Sequence, residues 1–445
     1  MKSADLVVHA RWIIPVEPEG SILEQHAVII RDGRILAVLP SLEARSKFRS
    51  ADAVELPGHV LIPGFINAHT HAAMVLLRGL ADDLPLMPWL QEHIWPAESR
   101  WMSAEFVRDG SELAMAGMLR SGTTCFNDMY YFPEVTAGVV RRSGMRACLG
   151  MIVVDFPSAW GDGPREYLAK GTALRDQYKD DPLLNFAFAP HAPYTVAEAW
   201  LKEIRTLADE LDVPVQTHLH ETAGEIEQSL KHYGKRPLAR LAELGWLTPN
   251  FMAVHMTQLD DTEIGELARS GVHVIHCPES NLKLASGFCP VAKLLTAGVN
   301  VALGTDGAAS NNDLDMLAEM RCAALLAKGV AGDATVLPAA TALRMATLNG
   351  ARALGLDRDI GSLLPGKWAD MTAVDLSVPE CQPLYNPLSQ LVYCAGRQQV
   401  TDVWVAGRQL LRHGELTRLD LDVILQRAQH WQQRIAQTPS EAITA

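Results

Sequence analysis

Between residues 61 and 328 the chain switches repeatedly from short apolar runs to amphipathic stretches, and this alternation restricts its fold more than any other feature. The apolar runs 61–67, 122–127, 146–153, 184–189, 213–219, 251–255, 272–276 and 299–305 predict strands. Helical periodicity fills most of the gaps, at 103–120, 135–143, 165–178, 196–211, 236–244, 260–269, 290–297 and 313–328. Strands alternating with helices predict the α/β class, and eight of them over roughly 300 residues predict a (β/α)8 barrel. A doubly wound open sheet alternates in the same way, but no GxGxxG turn follows the first strand.

The flanks read differently. Residues 4–57 alternate as strands, with Asp32-Gly33 marking a hairpin turn, and short strands return around 369–375 and 400–411. One β-sandwich built from both ends, 1–57 with 369–415, therefore flanks a barrel at 58–368. Residues 416–445 form a C-terminal segment whose amphipathic part, 418–436, is expected as a helix packed on the sandwich. A length of 445 residues accommodates this division.

A formal net charge of -13 argues against nucleic acid or an anionic membrane as partner. The seven cysteines are scattered without a CxxC pair, which predicts reduced thiols. The start, Met-Lys-Ser-Ala-Asp-Leu, has no apolar core of signal-peptide type, so a cytoplasmic protein is expected.

In a barrel, chemistry gathers at the C-terminal ends of the strands. Those ends carry His69 and His71, then Asn127 and Asp128, Asp155, His191, the group His218, His220 and Glu221, then His255, His276 and Asp306. Residues i and i+2 of a strand face the same side, so His69 and His71 present two imidazoles together. Imidazole suits zinc and late first-row metals. Taken alone, the pair also fits a surface strand end bearing two unrelated histidines.

The order His69-x-His71, His218, His255, Asp306 resembles the amidohydrolase superfamily, and the likeness runs through essentially the whole chain. Leu61-Ile-Pro-Gly-Phe-Ile-Asn-Ala-His-Thr-His71 is similar to that family's first barrel strand, and Leu303-Gly-Thr-Asp306-Gly to its eighth. Gly361-Ser-Leu-Leu-Pro-Gly366-Lys367 is similar to its return into the sandwich; Trp368 stands where a phosphate loop needs Ser or Thr. Ala187-Phe-Ala-Pro-His191 offers no bridging lysine, so the resemblance implies one metal rather than two. It implies one Zn2+ held by His69, His71, His218 and Asp306; iron or manganese could use the same donors.

His218-Leu-His-Glu221 resembles the deaminase branch. Glu221 would carry a proton from water to a ring nitrogen, His255 would hydrogen-bond the attacking oxygen, and Asp306 would take the second proton before ammonia leaves. His220 and His276 are expected to pack or to support rather than to ligate. A metalloprotease HExxH and the PCxxC motif of nucleobase deaminases are both absent.

The stretch 80–98 follows the first metal strand and is expected as a long loop with two tryptophans, suited to a lid over a flat ring. Met87-Pro-Trp89-Leu and Ile94-Trp-Pro-Ala-Glu98 resemble the 5'-methylthioadenosine/S-adenosylhomocysteine deaminases. That likeness implies ribose recognition by Glu98 and nucleoside contacts from His191, with Trp89 and Ser310 in the same pocket. Arg165 is the nearest match to an arginine that would hold a homocysteine carboxylate, and it is displaced by Pro164. A second arginine is missing from 150–154, which favours methylthioadenosine over S-adenosylhomocysteine or adenosine. The expected partners are a small nucleoside and water, with a homodimer left open. Guanine, cytosine or a triazine as substrate, and a binding module without catalysis, are the rival readings.

Overall fold

The computed structural model describes residues 1–437. Its centre is an eight-stranded parallel sheet in sequential order: β5 (Phe65–Thr70), β6 (Thr123–Asp128), β7 (Arg146–Val153), β8 (Leu184–Pro190), β9 (Val215–Leu219), β10 (Phe251–His255), β11 (His273–His276) and β12 (Asn300–Leu303). The last strand closes on the first just beyond their ends. Asp306 N–H donates to the His69 carbonyl at 3.0 Å, and Asn67 donates to Thr305 Oγ1 at 2.7 Å. This is the (β/α)8 barrel that the alternation predicts. Gly304 permits the closure, because a Cβ there would lie 2.7 Å from the backbone nitrogen of His69.

A second sheet joins both ends of the chain. It consists of β1 (Lys2–Ile13), β2 (Leu23–Arg31), β3 (Arg34–Pro40), β4 (Phe48–Pro63), β13 (Met371–Asp375), β14 (Val400–Val405), β15 (Arg408–Arg412) and β16 (Glu415–Leu416). The N-terminal strands meet the C-terminal ones where β4 pairs antiparallel with β13, Ile62 opposite Thr372. Val8, Val28, Leu61, Met371 and Trp404 form one core, so neither terminal segment buries its apolar face alone. The turn at Asp32-Gly33 is present, both residues having positive φ, at 54° and 73°.

Four features differ from the sequence-based expectations. Leu61–Pro63 belong to β4, so the terminal sheet runs through the boundary expected at 58 and the first barrel strand begins only at Phe65. Gly64 separates the two strands where a Cβ would strike Thr124 at 2.1 Å. The segment after the first metal strand is helical rather than a loop: Leu86–Pro88, a π turn at Trp89–Ile94, then Trp95–Trp101. Pro96 has no N–H to give the turn before it, and the Trp95 N–H reaches back five residues to the Leu90 carbonyl.

Helices at Ala223–Tyr233, Ala339–Met345, Leu348–Ala353 and Pro387–Tyr393 were not foreseen either. Finally, the C-terminal helix, Leu421–Ala436, packs on the barrel helix Ala104–Arg120 instead of on the terminal sheet. Trp431 decides this: its ring meets Phe106 edge to face, and its Nε1–H donates to buried Asp109 at 3.0 Å. The end of the expected segment, 438–445, lies outside the described residues. Among the described residues, no helix is long and apolar enough to cross a membrane.

Candidate metal centre and nucleoside pocket

The strand ends bring His69, His71, His218 and Asp306 together, with donor atoms all within 4.8 Å of one another. His71 Nε2 lies 3.1 Å and His69 Nε2 3.6 Å from Asp306 Oδ1, and the Nε2 atoms of His69 and His218 are 3.1 Å apart. Each of these imidazoles is oriented by its other nitrogen. His69 Nδ1 bonds to Gln216 Oε1 at 3.0 Å, His71 Nδ1 to the Met129 carbonyl at 2.6 Å, and His218 Nδ1 to the His191 carbonyl at 2.8 Å. The partner is an oxygen acceptor in every case, so the proton sits on Nδ1 and the Nε2 lone pair faces the centre.

Asp306 is fixed in the same manner. Its Oδ2 accepts from Ser280 Oγ at 2.6 Å and Ser310 Oγ at 2.9 Å, which leaves Oδ1 for the histidines. Burial raises the Asp306 carboxyl pKa, but the imidazoles of His69 and His71 beside Oδ1 more than reverse this and hold it well below the usual range. Three imidazole nitrogens and one carboxylate oxygen, converging and already oriented, form a donor set suited to zinc. Backbone strain marks the same rim: Asp306 has φ 60° and His255 φ 79°, left-handed values that non-glycine residues rarely adopt.

Beside the ligand group, Glu221 Oε2 lies 3.8 Å from His255 Nε2, and Ser286 Oγ donates to Glu221 Oε1 at 3.3 Å. Burial, reinforced by the Asp306 charge, raises the Glu221 pKa to about 8. A cavity opens from this point. Trp89, Glu98, His191 and Ser310 line it. Tyr130 Oη donates to Glu98 Oε1 at 2.7 Å, while burial raises the Glu98 pKa. His191 is oriented by Thr195 Oγ1, 3.1 Å from its Nδ1.

Other expected residues lie elsewhere or do different work. Arg165 is exposed at the start of the helix Pro164–Tyr178 and does not line the cavity, because Pro164 begins that helix and directs the next side chain outward. Among the described residues, the lining includes no lysine or arginine. Asp155 is exposed and accepts the Ala197 N–H. Asp128 accepts the Ala72 N–H at 2.8 Å and anchors the turn that follows His71. His220 accepts the Leu238 N–H through Nε2 at 3.0 Å, and His276 is buried away from the ligand group.

Gln216, Ser280, Asn281 and Tyr130 were missed. Gln216 could have been found, since it stands two residues before His218 and faces the same side of β9; the others gave no local signal.

Comparisons with known proteins agree with this geometry. Residues 60–410 match the amidohydrolase family model. A 5-methylthioadenosine/S-adenosylhomocysteine deaminase of Teredinibacter turnerae is 53% identical over 431 residues, covering 97% of this chain and 98% of that protein. A crystal structure of an adenosine deaminase from Xanthomonas campestris with bound zinc is 54% identical, with TM-score 0.97 over 98% of this chain and 100% of that one. An atrazine chlorohydrolase of Arthrobacter aurescens, also complexed with zinc, shares the fold at TM-score 0.89 but only 23% identity, over 96% of this chain and 99% of that one. The chain belongs to the amidohydrolase family and, within it, to the 5-methylthioadenosine/S-adenosylhomocysteine deaminases.

Proposed function

We propose that this protein is a zinc-dependent hydrolytic deaminase of adenine nucleosides. Its preferred substrate is 5'-methylthioadenosine, converted to 5'-methylthioinosine and ammonia. The observation that carries this reading is one cavity with the His-His-His-Asp group at its base, Glu98 in its wall, and no lysine or arginine among the described residues of its lining. A thioether tail is neutral and apolar and fits such a lining, whereas a homocysteine carboxylate would be buried without a cation.

Zinc held by His69, His71, His218 and Asp306 would supply a Lewis acid and a water acidic enough to react at neutral pH. The remaining steps fall to the protein. Trp89 and its apolar neighbours hold the adenine and exclude solvent. Glu98, with one oxygen engaged by Tyr130, offers the other to the ribose hydroxyls, and His191 contacts the nucleoside.

Glu221 loses its proton near pH 8 instead of 4.5, so it can both give and regain one at neutral pH. It gives its proton to the ring nitrogen N1 and regains one from the water as the oxygen adds to C6; the C6–O bond forms and the C6–N1 π electrons move onto N1. His255 hydrogen-bonds the attacking oxygen. Asp306, held as a carboxylate, passes the second water proton to the amino group. The C6–N bond then breaks, ammonia leaves and the C6 carbonyl forms. Ser310 acts through Asp306, which it holds together with Ser280.

In this reading the barrel is the catalytic domain and the terminal sheet its accessory domain, in a cytoplasmic enzyme whose assembly as a homodimer light scattering would test. Activity is tested by loss of the adenine ultraviolet band with zinc-loaded protein, run on methylthioadenosine, S-adenosylhomocysteine, adenosine, guanine and atrazine. Methylthioadenosine should have the highest kcat/KM. Equal efficiency with S-adenosylhomocysteine would remove the argument from the uncharged lining, and turnover of guanine or atrazine alone would overturn the nucleoside assignment.

A further inference from the structure

His255 can donate to an attacking oxygen only if its proton is on Nε2, and the residue behind the ring controls that. Asn281, 1% exposed on the short helix Pro278–Lys283, places its side-chain amide 2.9 Å from His255 Nδ1. With Oδ1 toward the ring, the proton must sit on Nδ1. Two costs then appear together. The Asn281 Nδ2 group is buried with no partner. In addition, the bare Nε2 lone pair faces Glu221 Oε2 at 3.8 Å and lies in the field of the ionised Asp306.

Amide oxygen and nitrogen have nearly the same shape, so a half-turn of the amide exchanges them with little change in packing. After the turn, Nδ2–H donates to Nδ1, Oδ1 takes the place where Nδ2 had no acceptor, and the ring proton moves to Nε2, where the negative charge of Asp306 favours it. The other titratable groups around the ring do not oppose this arrangement. His69 and His218 present Nε2 lone pairs to the centre, and His276, buried nearby, has no partner on Nδ1.

We infer that Asn281 is a positioning residue: its side-chain Nδ2–H donates to His255 Nδ1 and fixes the imidazole as the Nε2–H tautomer, making it a donor toward the reacting water. The catalytic consequence rests on the proposed deamination; the tautomer itself does not.

The test uses zinc-loaded protein labelled with 15N in histidine, with H255Q identifying the signal, to read which ring nitrogen is protonated. Wild-type His255 should be protonated on Nε2. N281D offers a carboxylate acceptor, so it should move the proton to Nδ1 and lower kcat on methylthioadenosine about 100-fold while KM stays within about threefold. N281L, which offers nothing, should give a mixture of tautomers and an intermediate kcat. A wild-type ring protonated on Nδ1, or an N281D protein with unchanged signal and kcat, would overturn the inference. If N281D does not fold, the wild-type spectrum and N281L still decide it. Failure of every adenine nucleoside to react, with the Nε2–H signal present, would defeat the proposed reaction and leave the tautomer assignment standing.

Discussion

The two ends of the cavity are made by different means. At the base, the groups come from strand ends, and nearly every polar atom is held by another: His69 by Gln216, His71 by the Met129 carbonyl, and Asp306 by two serines. At the far end, the wall is the inserted helical segment Leu86–Trp101. It contributes Trp89, Leu90, Ile94 and Trp95, with Glu98 tied by the single Tyr130 hydrogen bond. A rigid barrel fixes reacting groups to within the tolerance that catalysis needs, while an insertion can be changed without disturbing them. On the proposed function, the contrast assigns turnover to the strands and substrate choice to the insertion.

Substitutions can break or sharpen that division. The largest effect is expected at the base. E221Q should retain one zinc by metal analysis yet lower kcat by about 10³-fold or more, with KM little changed. Full turnover in that variant would remove the proton carrier from the strand ends. At the far end, E98Q should act mainly on KM, reducing kcat/KM on methylthioadenosine by about 10–100-fold, the loss of a hydrogen bond to a charged group. A purely kcat effect would blur the division. Y130F leaves Glu98 in place but frees its second oxygen, and should raise KM no more than about tenfold.

The smallest effect falls on stability, behind the base. Glu225 accepts the Glu221 N–H at 2.8 Å, and burial raises its carboxyl pKa from 4.5 to about 8. The folded protein therefore keeps a proton that the unfolded chain releases near 4.5. The stability this supplies is complete below that pH and is lost as the pH rises toward 8, by up to about 1.4 kcal/mol per pH unit. E225Q cannot ionise, and denaturant titrations of the metal-free protein should show a flatter pH dependence across that window. An unchanged slope would mean that Glu225 ionises freely in the fold.

Much of the base was legible before any coordinates. A strand repeats its facing every two residues, so His69 and His71 had to point together, and the strand-end rule gathered His218, His255 and Asp306 around them. The resemblance of Met87–Glu98 to a known family marked this wall, although the stretch is expected as a loop from sequence. Pro85, Pro88 and Pro96 fit a helix here because the prolines stand at starts of turns or where the π turn needs no N–H. Arg165 shows the limit of matching by position: the residue lies in the expected neighbourhood of the chain, yet helix geometry turns it to the surface.

The sequence by itself therefore determined the barrel and the gathering of histidines at its strand ends, since both follow from periodicities that act over a few residues, while the ligand set came from the family resemblance. Only the tertiary structure decided how those residues are aimed. The partners that orient them are far apart in the chain: Gln216 reaches His69 across 147 positions, Thr305 meets Asn67 across 238, and the C-terminal Trp431 finds Asp109 across 322. No local pattern encodes such pairings. They arise when the barrel closes and each buried donor or acceptor must find a partner in place of water.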